Sequence, residues 1–392
     1  MANPIQKEFQ NDLLSRGYSR RQMLNAAALL GSASTLGSLN SEAAWAADAP
    51  MQPPKVRIGT NECWTGPMPA GLAALNAVGS QCNRYNPSGE PAALVRAIAQ
   101  TEKIPEDHIS VWPGAYSALA RAVIAFCSPT KGLVTCDPAY ETPGEAAAWL
   151  GAPYRAVPLR ASDYSHDVKA ILAANPNAGL YYICNPNNPT ATMTSMADIE
   201  WLVDNKPADS IVVIDEAYIH WTRDYPNNTA THLAIANKDV MVFRTFSKIF
   251  GMAGMRVGYF MARPDIIKKV SLYDKGEPSS QLPIPSVACA TASLADHVSI
   301  AARRKELMEN RAATVELLTK RNFKVIGVSD ANFLMVDWKT KTAKDMQAAF
   351  RAQGVQIAGA RWPTWPTMSR ITIGSKQDMD GFFAALNKVA AT

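Results

Sequence analysis

The sequence predicts an α/β protein with a large doubly wound, mostly parallel sheet and a smaller α+β domain. Short apolar runs rich in β-branched and aromatic residues alternate with amphipathic helical patterns, which is typical of strand–helix repeats. These runs are nearly continuously apolar, as expected of strands that are covered on both faces. The 392 residues are also enough for one large domain and a second, smaller one.

The first 46 residues are predicted to be an export leader. Residues Ser19 to Asn25 read S-R-R-Q-M-L-N, a weakly apolar run to Leu39 follows, and Ala44-Trp45-Ala46 fits an A-x-A cleavage site. Paired arginines before such a run resemble a twin-arginine export signal. We therefore expect the twin-arginine export machinery as a partner and a periplasmic or secreted location. The alternative is an amphipathic N-terminal helix with two surface arginines in a cytoplasmic protein.

The main body of the chain supplies the predicted sheet and its helices. Predicted strands are Gly132–Cys136, Leu180–Cys184, Ser210–Ile214 and Val240–Arg244. Predicted helices between them are Pro91–Gln100, Ala115–Phe126, Pro143–Leu150 and Ser195–Asp204. In such a sheet the functional site lies at the carboxyl ends of the strands.

The C-terminal part has a different texture. A helical pattern covers residues 285–321, and the predicted strands after it are Phe323–Val328, Phe333–Asp337, Val355–Ala358 and Arg370–Ile373. We predict a leader at 1–46, an N-terminal arm with part of the small domain at 47–84, the large domain at 85–284 and the small domain at 285–392.

Composition and spacing argue against several classes of function. The net charge is +5, but the basic residues are scattered, so nucleic-acid binding is not predicted. No apolar stretch is long enough for a membrane-spanning helix, so we expect no stable membrane insertion. The six cysteines lie far apart without metal-ligand spacing, which favours thiols over a disulfide framework and predicts no metal site.

Polar motifs follow three of the predicted strands. The strand ending at Cys184 continues as N-P-N-N-P-T, the next one ends in D-E-A-Y (215–218), and the third in T-F-S-K (245–248). The last motif extends to T-F-S-K-I-F-G-M-A-G-M-R-V-G-Y, and R-I-T-I-G begins at Arg370. Because the carboxyl ends of parallel strands meet at one edge, these side chains are expected to share a crevice.

These motifs, in this order, resemble those of the fold-type I aminotransferases that depend on pyridoxal phosphate (PLP), most closely the histidinol-phosphate aminotransferase branch. The resemblance extends from about Arg57 to the C-terminus. It implies the fold-type I architecture, PLP as cofactor, amine transfer from an amino acid to a 2-oxo acid, and a homodimer with shared active sites.

The resemblance also implies which residues hold the cofactor ring. Lys248 would form the Schiff base and then move a proton between the substrate α-carbon and the cofactor. Asp215 would pair with the pyridine nitrogen, and Tyr218 and Asn188 would bond the ring oxygen. Tyr140, in D-P-A-Y, would stack on the ring.

The phosphate group of the cofactor would lie at the start of the helix opened by Gly114, Ala115 and Tyr116. Free backbone amides and the helix dipole favour an anion there. By the same resemblance, the other phosphate contacts would come from Thr245, Ser247, Arg256 and, across a dimer interface, Tyr85.

On the substrate side, the resemblance gives Arg370 the α-carboxylate, which a guanidinium can bind bidentately. Arg361 either contacts the substrate side chain or only supports its loop. The segment T-N-E-C-W (60–64) departs from the family pattern N-E-N-P, so Cys63 and Trp64 are expected to replace residues that line the substrate channel. Glu62, which is usual in this motif, is a candidate to receive a cationic side chain of the substrate. Together with Trp362 and Trp365, Trp64 predicts a pocket that is richer in aromatic surface than usual. Ala191 stands where relatives have glycine, which is expected to alter a turn slightly.

Three functions remain open from the sequence. The first is an aminotransferase acting on a free amino acid with an aromatic or cationic side chain. The second uses PLP for elimination, cyclodehydration or oxidation of a free amino acid such as an arginine derivative, because these reactions share their early chemistry. The third is a non-catalytic binding protein, which the complete set of lysine, aspartate and arginine argues against.

Overall fold

A seven-stranded mixed sheet forms the centre of the computed structural model, which describes residues 4–32, 54–274 and 276–390. In spatial order its strands are β2 (Ile109–Trp112), β8 (Gly258–Met261), β7 (Val240–Thr245), β6 (Ile211–Asp215), β5 (Leu180–Cys184), β3 (Leu133–Asp137) and β4 (Tyr154–Pro158). Strand β8 is antiparallel to both neighbours, and the remaining pairings are parallel. The predicted α/β class with a mostly parallel sheet is confirmed.

The central strands form because their sequences suit a doubly covered sheet. Every residue of β5, β6 and β7 is buried, including both neighbours Tyr181 and Tyr182. The helices around the sheet are α4 (Glu90–Glu102), α5 (Ala115–Phe126), α6 (Thr142–Leu150), α7 (Val168–Ala174), α8 (Met196–Asn205), α9 (Thr231–Ile235) and α10 (Pro264–Ser271). Local signals fix their ends: Ser195 caps α8 by accepting from the Asp198 N–H, and Gly151 ends α6 in the left-handed conformation.

A second group of strands lies in the C-terminal part, with one partner from the N-terminal side. Strand β1 (Val56–Ile58) pairs in parallel with β11 (Val355–Ile357). An antiparallel sheet has the order β12 (Met368–Thr372), β10 (Phe333–Asp337) and β9 (Lys324–Val325). The helices here are α3 (Pro69–Val78), α11 (Ile284–Leu294), α12 (His297–Lys320), α13 (Ala343–Ala352) and α14 (Lys376–Ala390).

The helical pattern at 285–321 is two helices rather than one. Helix α11 ends at Leu294, and α12 begins at His297 after Asp296 accepts a hydrogen bond from the Ser299 N–H. Aspartate is a strong N-cap because its carboxylate satisfies a free amide of the first helical turn. Only Ala295 and Asp296 separate the two helices, which is why the sequence pattern reads as continuous.

The N-terminal residues form two helices, α1 (Pro4–Ser15) and α2 (Arg20–Ser32), that pack on the body of the protein. Leu13, Tyr18 and Ala26 are buried. The Arg16 guanidinium donates to the carbonyls of Ala125 and Cys127 at 3.0 and 2.8 Å, and Tyr18 Oη donates to the Cys127 carbonyl at 2.7 Å. The segment that is predicted to be a leader therefore forms hydrogen bonds with the C-terminal end of α5. The predicted cleavage site at 44–46 lies outside the described residues.

Two further observations concern membrane insertion and metal binding. Within the described residues, no helix combines the length and apolar character needed to span a bilayer. In the same part of the chain, no cluster of His, Cys, Asp and Glu side chains could hold a metal ion.

Candidate active site

The predicted site residues meet at the carboxyl edge of the large sheet. Asp215 is the last residue of β6, Lys248 follows β7 by three residues, and Asn188 follows β5 by four. Because β5, β6 and β7 are parallel neighbours, their carboxyl ends lie at one edge of the sheet, and these side chains therefore share one crevice. The antiparallel C-terminal sheet brings Arg370, on β12, to the same place.

Asp215 is a buried carboxylate that receives hydrogen bonds from neutral donors. Tyr182 Oη donates to its Oδ2 at 2.8 Å, and the Ala217 N–H donates to Oδ1 at 3.1 Å. Burial raises the pKa of Asp215 above its ordinary value, although the Tyr182 hydrogen bond opposes this shift. A protonated pyridine nitrogen would supply the positive charge that favours the ionised carboxylate.

The neighbouring Glu216 points to the other side of the strand end, where it forms part of a buried charge cluster. Arg244 lies 2.8 Å from Glu216 and 3.1 Å from Glu102, and none of its side chain is exposed. Thr229 and the Ala230 N–H also bond Glu216. The ends of β6 and β7 are therefore tied together behind Asp215 and Lys248.

The Lys248 side chain lies over the Tyr218 ring, with Nζ 5.2 Å from the ring centroid. Burial and the positive charge of Arg370 lower the pKa of Lys248 to about 8, while the carboxylate of Glu62 opposes the shift. A lysine in this range has an appreciable neutral fraction near pH 7, as a nucleophile or general base requires.

A cradle for an anion lies at the N-terminus of α5. Gly114 has φ 80°, and a Cβ there would lie 2.6 Å from Arg256 Nη2, so the guanidinium stands directly over this turn. A Cβ on Gly258 would come within 2.4 Å of the Ala115 nitrogen, so this close approach requires glycine. The free amides of α5 and the Arg256 charge suit a phosphate group.

Two hydroxyl residues and one aromatic residue complete this side of the crevice. Thr245 Oγ1 donates to Ser247 Oγ at 2.9 Å, so both hydroxyls are positioned after β7. Tyr116, in the first turn of α5, is half-buried. With the buried carboxylate at Asp215 and the lysine at 248, the residues present fit PLP. They would hold its phosphate at α5, its nitrogen at Asp215 and its aldehyde at Lys248.

The substrate side of the crevice is built around Arg370, whose side chain is buried. Its Nη1 donates to Asn188 Oδ1 at 2.6 Å and its Nη2 to the Gly59 carbonyl at 3.0 Å, which fixes the guanidinium plane. Its guanidinium carbon lies 5.6 Å from the Phe333 ring centroid and 5.8 Å from that of Trp362. The Nε atom is buried without a partner in the described structure. This is a preorganised cation in an aromatic setting.

The other predicted residues take different positions. Tyr140 is half-buried beside Asp215 and Tyr218, and burial raises its pKa. Trp64 stacks on Trp221 at 6.0 Å, whereas Trp365 packs edge-on against Tyr164 at 5.9 Å and not on the Arg370 group. Trp362 thus lies beside Arg370, whereas the place of Trp64 and Trp365 at the substrate channel stays a prediction.

Three more predicted positions are partly or fully exposed. Arg361 pairs with Glu141, a partner that the sequence did not indicate. Glu62 accepts a hydrogen bond from Thr60 Oγ1 at 2.8 Å. The Tyr85 side chain is fully exposed, so its role toward a second subunit stays a prediction.

Sequence reasoning missed two residues that position the predicted ones. Tyr182 holds Asp215, and its signal is its place on β5, two residues before Cys184, which pairs with Asp215. Asn61, with φ 57°, donates from Nδ2 to Tyr218 Oη at 3.1 Å. Its Oδ1 accepts a hydrogen bond from the Thr372 hydroxyl. Its signal is its place in the T-N-E-C-W segment, where it matches the first asparagine of the family pattern N-E-N-P.

This fold and this set of side chains define the class of protein, a PLP-dependent enzyme of fold type I. Residues 53–386 match the family "Aminotransferase class I and II". The chain is 29% identical to a histidinol-phosphate aminotransferase of Moorella thermoacetica over 342 residues, covering 86% of each chain. It is 30% identical to an aromatic amino acid aminotransferase of Rhodococcus jostii over 333 residues, covering 85% of this chain and 89% of the relative.

Among solved structures, the histidinol-phosphate aminotransferase of Sinorhizobium meliloti in complex with pyridoxal-5'-phosphate superimposes with a TM-score of 0.75. It is 24% identical and covers 86% of this chain and 91% of its own, and this likeness concerns the fold. The chain belongs to the class I and II aminotransferases. It is a PLP-dependent amino acid aminotransferase.

Proposed function

We propose that this aminotransferase takes its amine from a free amino acid with an aromatic or cationic side chain and gives it to a 2-oxo acid. The observation that carries the proposal is the buried Arg370 guanidinium, which lies 5.6 and 5.8 Å from the ring centroids of Phe333 and Trp362, respectively. A fixed guanidinium suits the α-carboxylate, and aromatic surface beside it suits an aromatic or cationic side chain.

The residues divide the work by position. Arg370, held by Asn188, orients the amino acid so that its α-carbon faces Lys248. When bound, PLP supplies an electron-withdrawing ring that acidifies the α-hydrogen. Lys248, with its pKa lowered to about 8, would take that proton and move it between the α-carbon and the cofactor. Asp215, buried among neutral donors, favours the protonated ring nitrogen on which this acidification depends.

The test is the absorbance spectrum of the PLP-loaded protein while single amino acids are added without an acceptor. Conversion of the bound cofactor to pyridoxamine phosphate by aromatic or cationic amino acids, reversed by a 2-oxo acid, is the expected result. Continuous product formation without an acceptor would instead assign elimination, cyclodehydration or oxidation. Conversion only by aliphatic or acidic amino acids would contradict the proposed substrate class.

We also propose a homodimer with shared active sites. The fully exposed Tyr85, in N-R-Y-N-P, supports it, because a large aromatic side chain in that position is suited to an interface. Light scattering should give twice the chain mass. In addition, mixing the inactive variants Tyr85→Ala and Lys248→Ala should restore part of the activity, since mixed dimers contain one intact site.

Export by the twin-arginine route is a further proposal. Arg20 and Arg21 are both exposed at the start of α2, where a receptor can reach them. The protein should be found in the periplasmic or secreted fraction, and replacing both arginines by lysine should keep it in the cytoplasm. An unchanged distribution of the double-lysine variant would contradict the proposal and favour an ordinary surface helix.

A further inference from the structure

An ion pair that the sequence did not indicate lies beside the substrate arginine. Arg361, in the loop between β11 and β12, donates through Nη2 to Oε1 of Glu141. Glu141 directly follows Tyr140 and precedes α6. Both side chains are about two-fifths exposed, at 38% and 41%, so substrate and solvent can reach them.

The pair belongs to the substrate side of the crevice. Trp362, the residue after Arg361, has its ring centroid 5.8 Å from the Arg370 guanidinium carbon. Burial lowers the pKa of Arg370 to about 10, and the charges of Arg361 and Glu141 act on it with opposite signs. Both charges are therefore close enough to be felt by an amino acid that is held at Arg370.

The charges that remain for the substrate side chain can be counted. Lys248, Asp215 and Arg256 are committed to the cofactor, and Arg370 to the α-carboxylate. Of the described charged side chains that act on Lys248 or Arg370, those left are Arg361, Glu141 and Glu62. Glu62 acts on Lys248 and so lies at the same crevice. This one positive and these two negative groups together place a net charge of −1 around the side chain of the substrate.

We propose that Glu141 is a specificity-determining residue that excludes amino acids with anionic side chains by occupying Arg361. The inference rests on the proposed function, because it concerns the side-chain end of the same amino acid. An anionic side chain that approaches Arg361 must compete with Glu141 for the guanidinium, and it faces two carboxylates. Aromatic and cationic side chains leave the pair intact.

The first test uses the half-reaction of the PLP-loaded enzyme with L-glutamate and with the best aromatic amino acid. Glu141→Gln should raise the ratio of kcat/KM for L-glutamate over the aromatic substrate on the order of tenfold, because it frees Arg361 and removes a like charge. The double variant Glu141→Gln/Arg361→Gln should lose this gain. The matched control is Glu316→Gln, which removes another exposed glutamate paired with a cation, Lys320, on α12. It should leave the ratio unchanged.

The second test does not depend on turnover. Succinate carries two carboxylates and no amine, so its affinity for the loaded enzyme reports the charge of the pocket alone. Calorimetry should show tighter succinate binding to Glu141→Gln by about the same tenfold factor, again lost in the double variant. An unchanged ratio and an unchanged succinate affinity would overturn the role of Glu141. If no amino acid converts the cofactor while succinate binding changes as expected, the proposed function fails and the inference about the pocket stands.

Discussion

The side-chain amide of Asn188 accepts a 2.6 Å hydrogen bond from Nη1 of Arg370, which joins the N-P-N-N-P-T turn of the large sheet to strand β12 of the C-terminal sheet. A second contact crosses the same boundary, because the rings of Tyr218 and Phe333 meet edge-on at 4.9 Å. The cofactor side and the substrate side of the crevice are thus positioned against each other by direct contacts.

Asn188→Ala should raise KM for the amino acid and lower kcat/KM by about 10- to 100-fold, since a buried hydrogen bond to a charged group contributes roughly 1.5–3 kcal/mol. Steady-state kinetics with donor and acceptor measures the effect. The control is Asn205→Ala, an exposed asparagine at the end of α8 whose side chain donates to the nearby Trp201 carbonyl. If KM stays at the wild-type value in Asn188→Ala, the positioning of Arg370 does not depend on this bond.

The lowered pKa of Lys248 predicts how cofactor loading depends on pH. The neutral amine is the nucleophile, so the rate at which PLP binds covalently to the cofactor-free protein should rise about tenfold per pH unit below the pKa and level off above it. Because burial lowers this pKa from 10.5 to about 8, the plateau should begin near pH 8. Stopped-flow absorbance measures the rate.

Two variants test the direction in which neighbouring charges shift the pKa of Lys248. The carboxylate of Glu62 raises the pKa of Lys248, so Glu62→Gln should move the profile to lower pH. The charge of Arg370 lowers the pKa, so Arg370→Gln should move it to higher pH. A midpoint near 10.5, or shifts in the opposite directions, would show that the environment of Lys248 is not the one described.

The contacts of Arg16 predict that the N-terminal helices are anchored through this residue. Its guanidinium bonds two backbone carbonyls of the body and forms an ion pair with Asp12 at 2.8 Å. Arg16→Ala should speed tryptic cleavage at Arg20 and Arg21 at least about tenfold, because losing hydrogen bonds of a charged group costs roughly 1.5–3 kcal/mol of local stability. Lys7→Ala, an exposed cation on α1, is the matched control and should leave the rate unchanged. Equal cleavage rates in both variants would show that the helices are held elsewhere.

Much of the large sheet could be predicted because its strands carry a local signal. Strand β5 and helix α5 agree with the prediction at both ends. Strand β6 begins and ends one residue later than predicted, and β7 ends one residue later. The position of Lys248 and Asp215 followed from strand ends alone. In each case the apolar run encodes burial on both faces, and its end marks the carboxyl edge of the sheet, where the next residues emerge.

The remaining features depend on contacts between distant segments, which no local pattern records. Glu141 and Arg361 are 220 residues apart in the chain, and Trp365 turns to Tyr164 rather than to Arg370. Docking of Arg16 on the end of α5 is of the same kind. Ala191 is a local case: it is buried with φ 62°, the left-handed conformation that glycine adopts more easily, so the turn itself is kept.

The most direct test of the central claim is to find which lysine carries the cofactor. PLP-loaded protein is reduced with borohydride, digested, and its peptides are sequenced by mass spectrometry. We predict the reduced cofactor on Lys248, with no labelled peptide and no amine transfer in Lys248→Ala. Label on another lysine, or amine transfer that survives in Lys248→Ala, would contradict the assignment of this crevice as the active site.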